Sequence, residues 1–385
     1  MKVGIIGNYG NDNNGDEAIL TGILNQLTSH LHVETKDITI FSNHPEKTES
    51  YYGIKSVPLL YKKDTKKADL FKTVIESYKI MRTLNVLIIG GGGLLMDLYK
   101  RDAPLYGSLG MISKIAGCHV VVYGVGAGPI TTSTGKYFIK KLVNMASFVS
   151  VRDEKSKALL NHIGCKKAIN VIPDPAFSMP ITQKRLRSTK LRKIGVTAVP
   201  YYHENYWPQA DQVRYQSYVK GMARNLDTLL TSNPELEITF YSTKFPQDVE
   251  VTKHIASEME HGERVEIIEK NLGPKDLLQI SAKQDLVIGT RLHSLILALI
   301  TETPIIGVGY HHKVIHFMEM IGRKIYSMAM DDLQKEDTLK TIIESSITNN
   351  WEAHQSQIQQ ISKDLIKRSN SGSHFLKQFV QKNQR

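Results

Sequence analysis

The chain has 385 residues, of which 41% are hydrophobic and 23% charged, and its formal net charge is +11 at pH 7. This length exceeds one ordinary hydrophobic core and suits two domains of roughly 150–200 residues each. The basic residues are scattered and lack interleaved aromatic residues, which disfavours nucleic acid as a partner. An anionic small substrate or an anionic membrane surface fits this charge better.

The sequence predicts a cytoplasmic protein. Its apolar runs stay far below the ~20 residues that a membrane-spanning helix needs, and glycine interrupts the first apolar run before a signal peptide can form. Two cysteines, Cys118 and Cys165, cannot build a disulfide framework. The basic charge is also compatible with peripheral contact with the inner membrane face.

The first half of the chain alternates short apolar runs with amphipathic stretches. Predicted strands occupy residues 3–6, 38–41, 86–89, 119–124, 148–151 and 169–172. Predicted helices occupy residues 16–30, 68–83, 104–116, 134–146 and 153–163. Continuous apolar strands that alternate with amphipathic helices are typical of a parallel sheet covered on both faces.

The first predicted strand ends in the sequence GNYGNDNNGDEA, at residues 7–18. Asn8 and Gly10 lie in this turn, and both residue types permit a positive φ and a close approach of ligand to backbone. The helix that opens near Asp16 offers free N–H groups to an anion. Asp16 is also a good N-cap, so a ligand contact and simple capping both remain open for it.

Four consecutive glycines follow the strand at residues 86–89, with Gly92 and Gly93 among them. A turn needs only one or two glycines, and each costs conformational entropy on folding, so we expect a close ligand or a contact between domains there. The sequence VYGVGAGP at residues 122–129 repeats the pattern. Because parallel strands end at the same edge of a sheet, these loops predict one rim of a ligand cleft.

Arg152 follows the next predicted strand directly. Its guanidinium group suits a carboxylate or a phosphate. An ion pair with Asp153, or a contact between domains, is the alternative for this arginine.

A polar, basic stretch at residues 180–192 predicts a linker, after which the alternation resumes. Predicted strands occupy residues 194–198, 238–242, 265–268, 286–289 and 305–308. Predicted helices occupy residues 212–232, 247–259, 274–282, 291–301 and 314–321. We therefore predict an α/β protein with a first domain at 1–182, a second at 193–337 and C-terminal helices at 338–385.

The sequence IGTRLHSLIL at residues 288–297 predicts a strand end, Thr290 as N-cap, and Arg291 and His293 in the first helical turn. Basic residues at a helix N-terminus oppose the helix dipole and cost stability unless an anion binds there. The conflict between this local rule and the sequence predicts an anion site.

Three histidines and Lys313 follow the next strand, in GVGYHHKVIH at residues 307–316. His311 and His312 are adjacent and point in different directions, and no cysteine lies nearby, so we predict no metal site. Lys313 suits an anion, and His311 or His312 suits acid–base work. Trp207 and the nearby tyrosines, including Tyr206, are open to two interpretations, stacking on a sugar ring or ordinary loop packing.

Taken in order, these segments resemble the polysaccharide pyruvyl transferase family over about residues 1–323. The resemblance implies two Rossmann-like domains with parallel sheets in a GT-B-like arrangement with a central cleft, the first domain on the acceptor side. It implies phosphoenolpyruvate as donor substrate without a cofactor, and a hexose acceptor, lipid-linked or not, that receives a pyruvate ketal while phosphate leaves. The family's donor-binding residues would fall on Arg152, Arg291, His293 and Lys313.

Our hypothesis gives His293 the phosphate or acid role and assigns the base to Asp16 or His311. Asn8, Gly10, Gly92 and Gly93 complete the predicted binding set. Two alternatives remain at this stage. One is a GT-B glycosyltransferase that uses a nucleotide sugar, and the other is a non-catalytic binding protein.

Overall fold

The computed structural model describes residues 1–61, 66–181, 183–207, 209–310 and 312–381. It divides into two units. Unit 1 comprises Met1–Pro180 and Leu365–Arg385, and unit 2 comprises Ile181–Asp364. The division falls at the start of the polar stretch that the sequence marks as a linker. The predicted C-terminal segment, residues 338–385, is shared between the two units.

The described part of unit 1 contains a seven-stranded sheet in the order β3-β2-β1-β4-β5-β6-β7, with every neighbouring pair parallel. Its strands are β1 (Val3–Ile6), β2 (Ile38–Ser42), β3 (Ser56–Pro58), β4 (Val86–Gly90), β5 (His119–Val125), β6 (Phe148–Val151) and β7 (Asn170–Val171). In the centre, Ile5 pairs with Ile40 on one side and Ile88 on the other. All three side chains are buried, which explains the unbroken apolar runs of these strands.

The helices of unit 1 include one, at Pro45–Tyr52, that the sequence did not predict, and the first helix has Asn13 as its N-cap. They are α1 (Asn14–Asn25), α2 (Pro45–Tyr52), α3 (Lys66–Met81), α4 (Asp102–Ile115), α5 (Ser133–Met145) and α6 (Glu154–His162). Asn13, not Asp16, is the N-cap of α1, because its side chain accepts a hydrogen bond from the Gly15 N–H. The expected capping role of Asp16 is therefore wrong, and this residue lies within the first helical turn.

The described part of unit 2 contains a six-stranded sheet in the order β10-β9-β8-β11-β12-β13, again parallel throughout. Its strands are β8 (Lys193–Thr197), β9 (Glu237–Phe240), β10 (Val265–Ile267), β11 (Leu286–Gly289), β12 (Ile305–Gly309) and β13 (Ser327–Ala329). The predicted α/β class with two Rossmann-like parallel sheets is confirmed.

The helices of unit 2 place Arg291 outside the helix that it was expected to open. They are α7 (Gln212–Ser232), α8 (Gln247–Ser257), α9 (Pro274–Ala282), α10 (Leu292–Ile300), α11 (His312–Met320), α12 (Thr338–Ile342) and α13 (Trp351–Gln381), the last of which ends in unit 1. Arg291 is the N-cap residue of α10, with an extended backbone at φ −104° and ψ 138°. Thr290 cannot cap the helix, since its hydroxyl and its N–H both bond to the Thr197 carbonyl on β8.

Within the described ranges, we find no helix with both the length and the apolar character that a membrane span requires.

Each sheet has a topological switch point, where the strand order reverses between neighbours. In unit 1 this point lies between β1 and β4, and in unit 2 between β8 and β11. Open α/β sheets bind ligands outside the carboxyl ends of the strands at such points, which directs attention to the loops there.

Candidate functional site

Asp16 is the centre of a polar cluster beside the switch point of unit 1. The side-chain amides of Asn8 and Asn13 both donate to its Oδ2 atom, at 2.9 and 2.8 Å. Asn11 in turn donates to the Asn8 side-chain oxygen at 2.7 Å. Asp16 is 8% exposed, so this amide network holds one carboxylate orientation at the start of α1.

Gly92 lies against this carboxylate from the neighbouring loop after β4. Its φ is +61°, and a Cβ atom there would lie 2.6 Å from the Asp16 Oδ1 atom. A side chain at this position would therefore be strained by the backbone and would collide with the carboxylate. The near neighbour of Gly92 among the described residues is the Asp16 carboxylate, and a ligand at the glycine run stays a prediction. Gly93, the next residue, is half-buried in the same loop.

A second glycine loop joins the first one to Arg152. The Gly126 N–H donates to the Gly92 carbonyl at 2.7 Å. The Arg152 guanidinium lies over Gly126, so that a Cβ atom there would fall 2.9 Å from its Nε atom. The carboxyl ends of β1, β4, β5 and β6 are neighbours and form one edge of the sheet. Along this edge lie Asn8, Asp16, Gly92 and Arg152.

Arg152 is an ion-paired arginine on that edge. Its Nη1 atom bonds to the Asp174 Oδ2 atom at 3.1 Å, and its Nε atom lies 3.7 Å from the Asp153 carboxylate. Asp174 is 4% exposed and also accepts the Ala176 N–H. The alternative interpretation of Arg152, an ion pair with Asp153, is present in the structure together with a shorter pair to Asp174.

Gly10 joins the edge through Glu17. The Gly10 N–H donates to the Glu17 Oε1 atom at 2.7 Å, and the Tyr52 hydroxyl donates to the Oε2 atom at 2.9 Å. Burial raises the pKa of the Glu17 carboxyl, although the bonds from Gly10 and Tyr52 oppose this shift. Glu17 therefore holds the glycine turn in place and was not among the sequence candidates.

Arg291 lies beside the switch point of unit 2 and is fixed by Asp248. Its Nε and Nη2 atoms bond to the two carboxylate oxygens of Asp248, at 2.7 and 2.5 Å. The Asp248 side chain is fully buried, and the Arg291 side chain is 13% exposed. Burial opposes the charge of Arg291, but the Asp248 carboxylate raises the pKa of the guanidinium well above its usual range. Arg291 is thus a permanently charged group in a fixed orientation.

Tyr206 holds the remaining side of this guanidinium. Its hydroxyl accepts a hydrogen bond from Arg291 Nη1 at 3.0 Å, and the Arg291 Cζ atom lies 5.3 Å from the ring centroid. The Lys244 ammonium lies 4.8 Å from the same centroid. Two cations therefore contact one aromatic ring, an arrangement that stabilises both charges by cation–π attraction. Lys244 is a cation of this edge that the sequence did not single out.

The start of α10 is tied to β8, which fixes the position of His293. The Ser294 hydroxyl donates to the Arg291 carbonyl at 2.6 Å and accepts from the Thr197 hydroxyl at 2.9 Å. His293 precedes this serine in the first turn of α10 and is half-buried. Lys313 lies in the first turn of α11, after β12, on the same edge of the sheet. His311 lies outside the described residues.

Aromatic rings surround Trp207 in the loop after β8. Its ring centroid lies 5.4 Å from both Tyr201 and Tyr202, and 5.5 Å from Tyr310 at the end of β12. Burial, followed by the neighbouring Tyr202, raises the pKa of Tyr201 to about 12. The rings pack on one another, so the loop-packing interpretation holds for these contacts, and Tyr206 connects the cluster to Arg291.

Asp248 is the residue of this edge that sequence reasoning missed most clearly. It lies in the first turn of α8, where an acidic residue complements the helix dipole and needs no further explanation. No local feature links it to an arginine 43 residues later.

Among the described residues, no group of three or more His, Cys, Asp or Glu side chains is arranged to hold a metal ion.

The chain is similar in sequence to known proteins. The family model described as polysaccharide pyruvyl transferase matches residues 13–312. The amylovoran biosynthesis protein AmsJ of Erwinia amylovora is 20% identical over 405 aligned residues, which cover 93% of this chain and 94% of AmsJ.

Solved structures resemble the chain along its whole length. MnaA of S. aureus, in complex with UDP, has a TM-score of 0.63 at 12% identity. The match covers 98% of this chain and 95% of the MnaA chain. HepE of Anabaena, in complex with UDP and glucose, has a TM-score of 0.60 at 12% identity, with 98% of each chain covered. At this identity the likeness shows the fold alone, that of GT-B glycosyltransferases and sugar-nucleotide epimerases.

Proposed function

Because the chain belongs to the polysaccharide pyruvyl transferase family, we propose that it moves pyruvate from phosphoenolpyruvate onto a hexose of a polysaccharide precursor. The product is a ketal across two hydroxyls, and inorganic phosphate leaves. The observation that carries the donor assignment is the fixed, charged Arg291 at the N-terminus of α10. Phosphoenolpyruvate carries a carboxylate and a phosphate, and both are groups that guanidinium and helix N–H donors bind well.

The contacts of Arg291 limit how it meets the donor. Its Nε atom and one N–H of Nη2 are engaged by Asp248, so a donor oxygen would approach through the other Nη2 N–H or through Nη1, which now bonds to Tyr206. The pair with Asp248 is neutral overall, and a trianion therefore needs further cations. We assign Lys244 to this role together with Lys313, because both follow strands at the same sheet edge.

The chemistry requires a proton donor and a base. A proton added to the methylene carbon of the donor turns it into a methyl group and leaves a cationic centre at the next carbon. One sugar hydroxyl attacks that centre, phosphate leaves, and the second hydroxyl closes the ketal as both hydroxyl protons depart. We propose His293 for the phosphate contact or the acid, and Asp16 or His311 for the base.

The decisive experiment measures both products of one reaction. The purified full chain is incubated with phosphoenolpyruvate and a panel of free and lipid-linked hexosides. We expect phosphate release that depends on the acceptor, and an acceptor mass increased by one pyruvate less one water. Phosphate release without that mass increase would contradict the proposed transfer.

The assigned residues are tested against a matched histidine. We expect His293→Ala to lower kcat about a hundredfold, the scale of general acid–base and oriented contacts. The control is His162→Ala, which changes an exposed histidine at the end of α6 in unit 1 and should keep full activity. Equal rates for the two variants would remove His293 from the mechanism.

The nucleotide-sugar alternative is separated by ligand binding. MnaA and HepE are complexes with UDP, whereas our proposal predicts stabilisation by phosphoenolpyruvate and none by UDP. Thermal unfolding with each ligand measures this difference, and stabilisation by UDP alone would favour a glycosyltransferase. We also propose a cytoplasmic location, the compartment that supplies phosphoenolpyruvate, and cell fractionation tests it.

A further inference from the structure

Helix α3 of unit 1 exposes several large apolar side chains, although its last residue, Met81, is buried in the core. Leu70, Phe71, Val74 and Tyr78 are exposed to 64%, 70%, 39% and 37%. The adjoining face of the helix buries Thr73, Ser77 and Met81, at 3%, 0% and 0% exposure. A helix that only covers its own domain places its large apolar residues inward. The outward apolar residues of α3 therefore indicate a surface that a partner covers.

The spacing gathers these apolar residues into one strip. Phe71, Val74 and Tyr78 are three and four positions apart, so they lie on one face of the helix. Thr73 lies on the buried face beside Leu70, where its hydroxyl donates to the Asp69 carbonyl and accepts the Tyr61 N–H. We call Leu70, Phe71, Val74 and Tyr78 the apolar strip of α3.

Exposed cations adjoin the apolar strip. At 100° per residue, Lys72, Lys79 and Arg82 lie on the flank next to Phe71, and all three are exposed. The Lys72 ammonium lies 5.8 Å from the Tyr61 ring centroid, and Lys79 pairs with Glu76 at 2.8 Å. Long basic side chains at the border of an apolar surface can keep their charges in water or at lipid headgroups while their stems stay buried.

We propose that the apolar strip of α3 binds the surface of an anionic membrane. Interfacial helices combine a face with aromatic and aliphatic residues and a flank of lysine or arginine, as α3 does. The net charge of +11 adds attraction to an anionic leaflet. A second copy of the chain fits less well, because a symmetric contact through α3 would bring Lys72, Lys79 and Arg82 of both copies together. This surface is independent of the chemistry at the sheet edges.

The test uses sedimentation of the full chain with lipid vesicles. One set contains phosphatidylcholine and phosphatidylglycerol at three to one, and the other contains phosphatidylcholine alone. We expect binding to the anionic vesicles that weakens with added salt, and little binding to the neutral ones. Equal binding to both sets, or binding to neither, would overturn the proposal.

Matched variants locate the surface. Leu70→Ser/Phe71→Ser should weaken vesicle binding at least tenfold, because two large apolar contacts with lipid are lost. Val213→Ser/Ile325→Ser is the control, since it changes two exposed apolar residues of unit 2, at 80% and 69% exposure, and should bind as the unchanged chain does. Circular dichroism checks that both variants fold.

Two further results would contradict the binding of the apolar strip to a membrane. Unchanged vesicle binding by Leu70→Ser/Phe71→Ser would show that lipid contacts another part of the chain. A dimer in sedimentation velocity that this variant converts to a monomer would assign the strip to a second copy and overturn the membrane assignment.

Discussion

Each unit places an arginine just after a strand and pairs it with a buried aspartate, but the two pairs differ in how much the arginine depends on its partner. Arg152 of unit 1 bonds to Asp174 through one nitrogen and has Asp153 nearby. Arg291 of unit 2 uses two nitrogens on Asp248. The first pair is part of a wider acidic environment, whereas the second is a closed fork on one carboxylate.

The surroundings of the two arginines also differ in chemical character. The edge of unit 1 is built from glycine loops and short amides around Asp16, which suit the hydroxyls of a sugar. The edge of unit 2 is built from cations and the Tyr206 ring, which suit an anion. A single fold thus provides two chemically distinct edges, and the difference comes from the loops and helix starts at the carboxyl ends of the strands.

The largest effect should come from Asp248→Ala. It leaves the buried Arg291 charge without its carboxylate, and breaking a buried pair in this way costs about 3–5 kcal/mol. Tryptophan fluorescence during urea unfolding measures the loss, because Trp207 and Trp351, the two tryptophans of the chain, both belong to unit 2.

Asp174→Ala is the matched control in unit 1. Arg152 keeps Asp153 at 3.7 Å, so we expect a smaller cost of about 1–2 kcal/mol. Hydrogen exchange of the β5 and β6 amides measures it. The comparison fails if the two substitutions cost the same. It is sharpened if Asp248→Ala/Arg291→Ala recovers part of the stability lost in Asp248→Ala.

The next effect concerns His354, a buried histidine of unit 2. Burial, then the nearby Arg323 and Arg185, lower its pKa to about 3. The unfolded chain takes up a proton near the ordinary pKa of about 6.5, so this contribution to stability is present above that value and is lost as pH falls toward 3. Between pH 7 and pH 5 the loss should reach roughly 2 kcal/mol.

A His354→Gln variant isolates this contribution. Urea unfolding, followed by tryptophan fluorescence, gives the free energy of unfolding of the variant and of the unchanged chain at both pH values. The two changes in this free energy between pH 7 and pH 5 are then compared. Glutamine does not titrate, so we expect the variant to lose less stability on acidification. Parallel pH dependences would show that His354 keeps its proton equilibrium on folding and that the two arginines do not perturb it.

The third prediction tests the glycine loop of unit 1. Gly92→Ala and Gly53→Ala place a side chain at nearly the same φ, +61° and +64°, but among the described residues only Gly92 has a neighbour, Asp16, within 4 Å. Both should lose about 1 kcal/mol from backbone strain. We expect only Gly92→Ala to displace Asp16 and reduce the transfer rate. Equal activity of both variants would show that the contact between Gly92 and Asp16 does not matter for the reaction.

The sequence indicated functional residues where a side chain conflicts with its local structure, and it did not indicate those whose side chains suit that structure. Arg291 was recognised because a cation at a helix start opposes the dipole. Asp248 was missed because an acidic residue there is ordinary. The run from Asn13 to Asp16 contains several side chains that can cap a helix, so the pattern located the turn but not the N-cap.

The fold was predictable where strands are apolar and buried. β1, β4, β5 and β11 appear in the sequence as apolar runs. β3 (SVP) and β13 (SMA) show neither alternation nor a run of three apolar residues and were not predicted, whereas β10 (VEI), of the same length, alternates and was predicted. The ion pairs at the two sheet edges join distant segments, and a single sequence carries no local signal for them.

The smallest predicted effect is that of Glu17→Gln at the edge of unit 1. Burial raises the pKa of Glu17 above its unfolded value, so its contribution to stability is present below that value and is lost as pH rises through the folded pKa. Glutamine keeps a carbonyl oxygen for the Gly10 N–H but carries no charge. We therefore expect the variant to gain stability relative to the unchanged chain as pH rises.

Hydrogen exchange of the β1 and β4 amides at about pH 4 and pH 7, on either side of the ordinary range for a glutamate, measures this difference. The sign is opposite to that expected for His354, which loses stability as pH falls. If Glu17→Gln shows no pH-dependent gain, Glu17 is ionised in the folded chain as readily as in the unfolded one. The Gly10 N–H and the Tyr52 hydroxyl would then offset its burial completely, and the pH response of the two units would no longer differ in direction.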